Sequence, residues 1–287
     1  MRTRPKKKLF GCVAILGLGL MGSSLAMALK KRGIAGKVTG FARRPETRKK
    51  ALAGKIVDAV CDRLEDAVRD ADLVVACAPV SVIPEIITAA AGHLPPRAVV
   101  TDVGSVKARI AAAAEKALAD NRAEFLGSHP IAGSEQRGLE AARDDLYRGA
   151  VVAITPTRRT SRRALRIVSG FWRALGAEVV PVSPAVHDRV LARTSHLPHL
   201  IAALLAGCAG RERAVEYGKF CGAGFRDTTR IAEGDPELWR DILANNACFL
   251  RGELKVFAGK LANLSAILSK GDERQIAKYL RNGRECR

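Results

Sequence analysis

The run Cys12-Val13-Ala14-Ile15-Leu16 leads without a break into Gly17-Leu18-Gly19-Leu20-Met21-Gly22. This junction constrains the fold more than any other feature of the chain. A short apolar strand stops at a glycine turn and restarts as a helical pattern from Met21 to Arg32, with Gly33 behind it. That is the opening of a βα series. A GxGxxG pattern alone is weak evidence, but between a strand and a helix each glycine has a physical use. Gly17 permits the tight turn, Gly19 lets the backbone approach a pyrophosphate, and Gly22 allows close helix–strand packing. The helix N-terminus adds N–H groups and a partial positive charge. Gly17 to Gly22, including Leu18, Leu20 and Met21, are therefore expected to hold a dinucleotide. The competing reading is a glycine turn with no ligand.

The same alternation continues. KVTGFA (37–42) is a second strand, and Pro45 opens the next helical turn. DLVVACAP (72–79) and AVVTDVGS (98–105) are the apolar runs of strands buried on both faces. Ala78 and Pro79, at the end of the first run, are assigned to the cofactor. An Ala-rich helix then runs to Leu118, and EFLGSH (124–129), AVVAIT (150–155) and AEVVPV (177–182) read as three more strands. After Pro184 the texture changes. No strand is predicted beyond His187, and the apolar positions follow helical spacing, as in LPHLIAALLAG (197–207). The expected fold is α/β: a Rossmann-type, doubly wound, mostly parallel sheet followed by an all-helical domain. The divisions are a basic tail (1–8), a dinucleotide-binding domain (9–184) and a helical substrate-binding and dimerisation domain (185–287). The long apolar helical faces suit a homodimer.

Composition matters mainly through charge. The formal net charge is +19, and most of it sits in residues 1–8, 43–50 and 158–166. Basic clusters are often solvated faces. With aromatics at 5% and no recognisable nucleic-acid motif, non-specific attraction to nucleic acid is a side effect of charge. The seven cysteines form no CxxC pair, so no zinc or other metal site is expected. Their apolar surroundings suit reduced thiols in the cytoplasm. No segment approaches the ~18 uninterrupted apolar residues of a membrane span.

The end of the second strand separates two cofactors. Domains that bind NAD usually carry an acid there for the adenosine 2′-OH. This chain has Gly40-Phe41-Ala42-Arg43-Arg44. A carboxylate would repel a 2′-phosphate, whereas Arg43 or Arg44 could bind it through two parallel hydrogen bonds. NADP is expected in preference to NAD.

Further motifs carry the chemistry. Thr101-Asp102-Val103-Gly104-Ser105-Val106-Lys107 and GSHPIAGSE (127–135) end strands at the carboxyl edge, where open α/β sheets bind ligands. TSHLPH (194–199) and GFRDTTRIAEGDPELWRDI (224–242) follow. With GLGLMGSSLA (17–26), these motifs occur in the order and spacing of one family. The chain resembles the prephenate dehydrogenases, a family that includes arogenate and cyclohexadienyl dehydrogenases. The resemblance runs from Gly11 to about Lys270.

That resemblance implies oxidative decarboxylation in tyrosine biosynthesis. A hydride leaves C4 of a cyclohexadiene ring for the nicotinamide, the ring carboxylate departs as CO2, and the ring becomes aromatic. His129 matches the family's catalytic histidine, and a neutral imidazole can accept the 4-hydroxyl proton near pH 7. Ser105 matches the serine that bridges hydroxyl, histidine and nicotinamide, although it could also cap the following helix. His199 and Arg230 match substrate-binding residues, and Glu135 and Asp227 match acidic partners of that arginine. His196 is read as structural, and His187 as a solvated or packing residue. Of Arg226 and Arg230, four residues apart, one is expected on substrate and the other in a surface pair. The substrate is prephenate or, alternatively, arogenate, which within the family often accompanies NADP use. A β-hydroxyacid dehydrogenase would share the glycine turn but leave GSHPIAGSE and TSHLPH unexplained. A non-catalytic nucleotide sensor would leave the His/Ser/Arg set without a purpose.

Overall fold

The computed structural model describes residues 8–133, 138–210 and 218–286. Strands β1 (Phe10–Leu16), β2 (Ala35–Phe41), β3 (Ala59–Cys61), β4 (Leu73–Ala76), β5 (Val99–Asp102) and β6 (Glu124–Phe125) form one sheet in the order β3-β2-β1-β4-β5-β6. All its pairs are parallel. Helices α1 (Leu20–Arg32), α2 (Pro45–Ala53), α3 (Leu64–Val68), α4 (Ile83–Ala91) and α5 (Ala108–Ala117) make the crossovers. The order reverses between β1 and β4, the switch point at which such sheets open a crevice.

Period-two geometry explains why these strands read as continuous apolar runs. Val13 and Ile15 of β1, with Leu73 and Val75 of β4, face a core that includes Leu25, Leu29, Phe171 and Trp172. Ala14, Leu16, Val74 and Ala76 face a second core with Val68, Ile83, Ile87 and Ile110. Both faces are covered, so neither carries a polar alternation. β3 escaped the sequence reading because its three residues are only half-buried and too few to show a period.

The predicted single strand 124–129 is in fact two. β6 pairs with β5 through Val99 and Val100, and β7 (Gly127–Pro130) then joins β8 (Val151–Thr155) antiparallel and β9 (Glu178–Pro181) in a three-stranded sheet. β8 and β9 are parallel to each other. The ladder with β5 stops for a local reason. The N–H of Ser128 donates 3.2 Å to the Asp102 side chain, and Thr101 Oγ1 lies 2.6 Å from Ser128 Oγ, so side chains take over from backbone. Between β8 and β9, α6 (Arg162–Ala174) starts where Ser161 Oγ accepts from the N–H of Ala164 at 3.0 Å. It buries Val168, Phe171 and Trp172. After β9 comes α7 (Pro184–Leu191).

Two compact units divide the chain. The first runs to Val190 and regains Glu233–Asn245; the second comprises Leu191–Ala232 and Asn246–Arg287. Within the first, helix Pro236–Asn245 lays Trp239 and Ile242 against the α4–α5 core, and Asp241 accepts the Ser81 N–H at 3.1 Å. The described residues of the second are helical or irregular throughout. A π-helical turn (Ala192–His196) leads into helix Leu197–Gly210, and the chain ends in helices Ala247–Ser269 and Glu273–Glu285. The two ends are joined by a two-pronged pair of Arg193 with Glu253, at 2.9 and 3.0 Å. Among the described residues no helix is long and apolar enough to cross a membrane.

Candidate active site

The β1–α1 turn is shaped by what surrounds it. Gly17 has φ +114°, and a Cβ there would come within 2.1 Å of the Cys77 carbonyl oxygen. A Cβ on Gly22 would come within 1.9 Å of the Gly17 carbonyl. Packing alone therefore demands glycine at both positions. Gly19 differs: it caps α1, and a Cβ there would meet no protein atom within 4 Å. Its glycine serves approach from outside, as a phosphate-binding turn requires.

A cleft of about 600 Å³ opens at this edge, lined by Gly17, Leu18, Gly19, Arg43, Arg44, Ala78 and Pro79 among others. Leu20 and Met21 turn toward the core, and the Met21 carbonyl accepts from Tyr147 Oη at 2.6 Å. Arg48 donates to the carbonyls of Ala42 and Arg43 at 2.8 and 2.9 Å, which fixes the backbone beneath the two exposed guanidinium groups. Lys50 and Glu140 also line the cleft and form an ion pair. That contact holds the Glu140 carboxyl below and the Lys50 amine above their ordinary ranges. Burial pushes the Cys77 thiol up, so the cleft presents no thiolate. The glycine turn, the α1 N-terminus and the arginines fit a dinucleotide.

Beyond β5, a buried ion pair organises the next loop. Asp102 and Lys107 are paired with fully buried side chains. Asp102 accepts from the N–H groups of Gly104 (2.9 Å) and Ser128 (3.2 Å), and Lys107 Nζ donates to the Ser128 carbonyl at 2.9 Å. Burial drives the Lys107 amine below its ordinary pKa, opposed by the Asp102 charge. Trp172 Nε1 donates to Ser128 Oγ at 2.9 Å. The loop bearing Ser105 is thus stapled to β7, which bears His129. Ser105 does not cap α5, whose N-cap position is Lys107.

His129 is buried, with 8% of its surface exposed. Its Nδ1 lies 2.9 Å from Nε2 of His187, and His187 Nδ1 lies 2.8 Å from Asp188 Oδ1. His187 is therefore not a solvated residue. It is enclosed on α7 and faces His129, a position that no local motif signals.

In the second unit, His196 Nδ1 lies 2.9 Å from Asn246 Nδ2, joining two helices. His199 is also buried, and burial holds its imidazole below the ordinary 6.5. Asp227, on helix Ala223–Thr229, and Arg230, opening the next turn, are exposed. Arg226 Nε donates to the Cys221 carbonyl at 3.1 Å. Glu135 lies outside the described residues.

Comparison with known proteins identifies the family. Residues 25–181 match the family description "Prephenate dehydrogenase, nucleotide-binding domain" and residues 183–282 match "Prephenate dehydrogenase, dimerization domain". The chain belongs to the prephenate dehydrogenase family. It is 34% identical to a cyclohexadienyl dehydrogenase of Zymomonas mobilis, over 97% of this chain and 95% of that one. Among solved structures, it resembles prephenate dehydrogenase from Aquifex aeolicus in complex with hydroxyphenyl propionate and NAD+ (TM-score 0.90, 34% identity, 97% and 98% coverage). It also resembles Synechocystis arogenate dehydrogenase (TM-score 0.83, 30% identity, 96% and 98% coverage).

Within the family's fold, Gly17, Leu18, Gly19, Arg43, Arg44, Ala78 and Pro79 share one cleft, and the loop bearing Ser105 is bonded to the strand bearing His129. The sequence reading passed over Lys107, His187 and Asp188. The DVGSVK motif contains Lys107 but does not reveal that its amine is enclosed.

Proposed function

We propose that the protein catalyses the oxidative decarboxylation of prephenate to 4-hydroxyphenylpyruvate, using a nicotinamide dinucleotide. The observation that carries this reading is a buried His129 on a strand stapled to the loop of Ser105, in a chain of this family. The glycine turn, the α1 N-terminus and Arg43–Arg44 would hold the cofactor, which when bound supplies the two-electron acceptor. His129 takes the 4-hydroxyl proton as the C4–O bond gains carbonyl character. Ser105 holds that hydroxyl by a hydrogen bond. Loss of the ring carboxylate as CO2 makes the ring aromatic. By resemblance, His199 binds the substrate and Arg230 helps to bind a substrate carboxylate, with Asp227 and Glu135 as the arginine's acidic partners.

The test is reduction of cofactor, followed by absorbance, with prephenate and with arogenate. The expected result is turnover of prephenate, with kcat collapsing in His129→Asn while KM changes little. Absence of turnover with either substrate would sink the reading. Arogenate is the second reading, supported by the similarity to enzymes named cyclohexadienyl and arogenate dehydrogenase. The ratio of kcat/KM values decides between them.

NADP is the proposed cofactor. Arg43 and Arg44 line the cleft, and the end of β2 carries no acid. Replacing both with Ser is expected to weaken NADP binding at least roughly tenfold, from the loss of charge-assisted hydrogen bonds, and to leave NAD nearly unchanged. Tighter binding of NAD than NADP by the unaltered protein would overturn the choice. A homodimer is proposed from the match to a dimerization domain and the exposed Leu204, Val256, Leu261, Leu268 and Leu280. Light scattering measures it. A cytoplasmic location is proposed from the seven cysteines, none of which forms a disulfide.

A further inference from the structure

A line of hydrogen bonds through Asp188 and His187 ends on the ring that the proposed function makes a base. It begins at the N-terminus of α5. The backbone N–H of Lys107 donates to Asp188 Oδ1 at 2.7 Å, and that of Ala108 donates to Oδ2 at 2.8 Å. Both oxygens accept, which is the bonding pattern of a carboxylate. The same Oδ1 lies 2.8 Å from His187 Nδ1. A carboxylate oxygen only accepts, so the proton in that contact sits on His187 Nδ1.

A neutral imidazole with its proton on Nδ1 presents a lone pair at Nε2. That nitrogen is 2.9 Å from His129 Nδ1. The rings meet edge to face, 70° apart with centroids at 5.1 Å, so the contact is a hydrogen bond and not a stack. With His187 neutral, His129 donates from Nδ1, which leaves Nε2 as its basic nitrogen. We infer that Asp188 and His187 are positioning residues that set the tautomer of His129 and so decide which of its nitrogens can take a proton. Both are almost fully enclosed, each with 1% of its surface exposed, so solvent does not supply alternative partners. A histidine present only for packing would not need polar partners at both nitrogens.

The inference rests on His129 being the base, and the experiment separates the two claims. The full-length protein, labelled with 15N-histidine, reports by NMR which ring nitrogens carry protons, independently of turnover. The expected result is a protonated Nδ1 and a bare Nε2 on His129. His187→Leu removes the acceptor and is expected to mix the His129 tautomers. It should lower kcat roughly tenfold or more, and by no more than the 10²–10⁴ that general-base catalysis contributes, with KM nearly unchanged. His187→Gln keeps an amide oxygen that can accept, and is expected to restore the tautomer and most of kcat. A bare Nδ1 on His129, with His187 protonated on both nitrogens, would overturn the inference. So would equal kcat in folded Leu and Gln variants when the Leu variant leaves the tautomer unchanged. If the Leu variant shifts the tautomer and kcat stays normal, the positioning stands and His129 is not the base.

Discussion

Replacing Lys107 with Met tests how completely the Asp102–Lys107 pair is removed from water. Both side chains are fully buried. In the variant, Asp102 keeps the N–H donors of Gly104 and Ser128 but loses its cation. Breaking a buried pair from one side costs about 3–5 kcal/mol. An independent bound comes from the carboxyl itself, which can escape the penalty by taking a proton. At pH 7 that costs a group of ordinary pKa 3.9 about 4 kcal/mol, and at pH 5.5 about 2 kcal/mol. The two routes agree. The sign follows from linkage: the stranded carboxyl has a raised pKa in the folded state, so the loss grows as pH rises and shrinks as it falls. Urea unfolding of wild type and variant at both pH values measures it. Tryptophan fluorescence is a suitable signal, because Trp172 donates to Ser128 Oγ beside the pair. At pH 7 a melting temperature lower by roughly 8–16 °C is expected. A loss below about 1 kcal/mol, or the same loss at both pH values, would refute the claim that the pair is dry. Adding Asp102→Asn should recover part of the stability, since the amide oxygen carries no stranded charge.

The glycine turn and His199 give two further expectations. Gly22→Ala puts a methyl 1.9 Å from the Gly17 carbonyl, so α1 must move off β1. Cofactor binding, followed by fluorescence titration, should weaken together with thermal stability, and an unchanged Kd would show the turn is not what binds the cofactor. Burial depresses the His199 pKa, so the unfolded chain binds more protons as pH falls through 6.5 and stability is lost on the acid side. Melts at pH 7.5 and 5.5 should show a larger drop for wild type than for His199→Gln; equal drops would contradict this.

How much of this was legible beforehand follows from the range of each interaction. Strands β1, β4 and β5 were visible because burial on both faces of a parallel sheet leaves an apolar run in the chain itself. The glycine turn was visible because its constraints are local: Gly17 needs a positive φ, and Gly22 needs the space of a missing Cβ. Arg43 and Arg44 stood where an acid is usual. His129 and Ser105 were singled out by resemblance to a family, through motifs that share its order and spacing.

Other features depend on partners distant in the chain. Nothing near Leu126 announces that the strand changes sheets, because the cause is the Asp102 carboxylate, reached only when β5 lies alongside. His187 and Asp188 read as an ordinary histidine and acid on a short helix. They become a hydrogen-bonded line only because α7 brings them to the α5 N-terminus and to β7. Sequence by itself determined the layered α/β fold and the glycine turn, since these rest on periodicity and local backbone geometry; His129 and Ser105 were singled out by resemblance to a family. Tertiary structure alone decided which charges are dry and which ring nitrogens of His129 and His187 meet. Desolvation and hydrogen-bond direction are set by neighbours some 20 to 80 residues away in sequence.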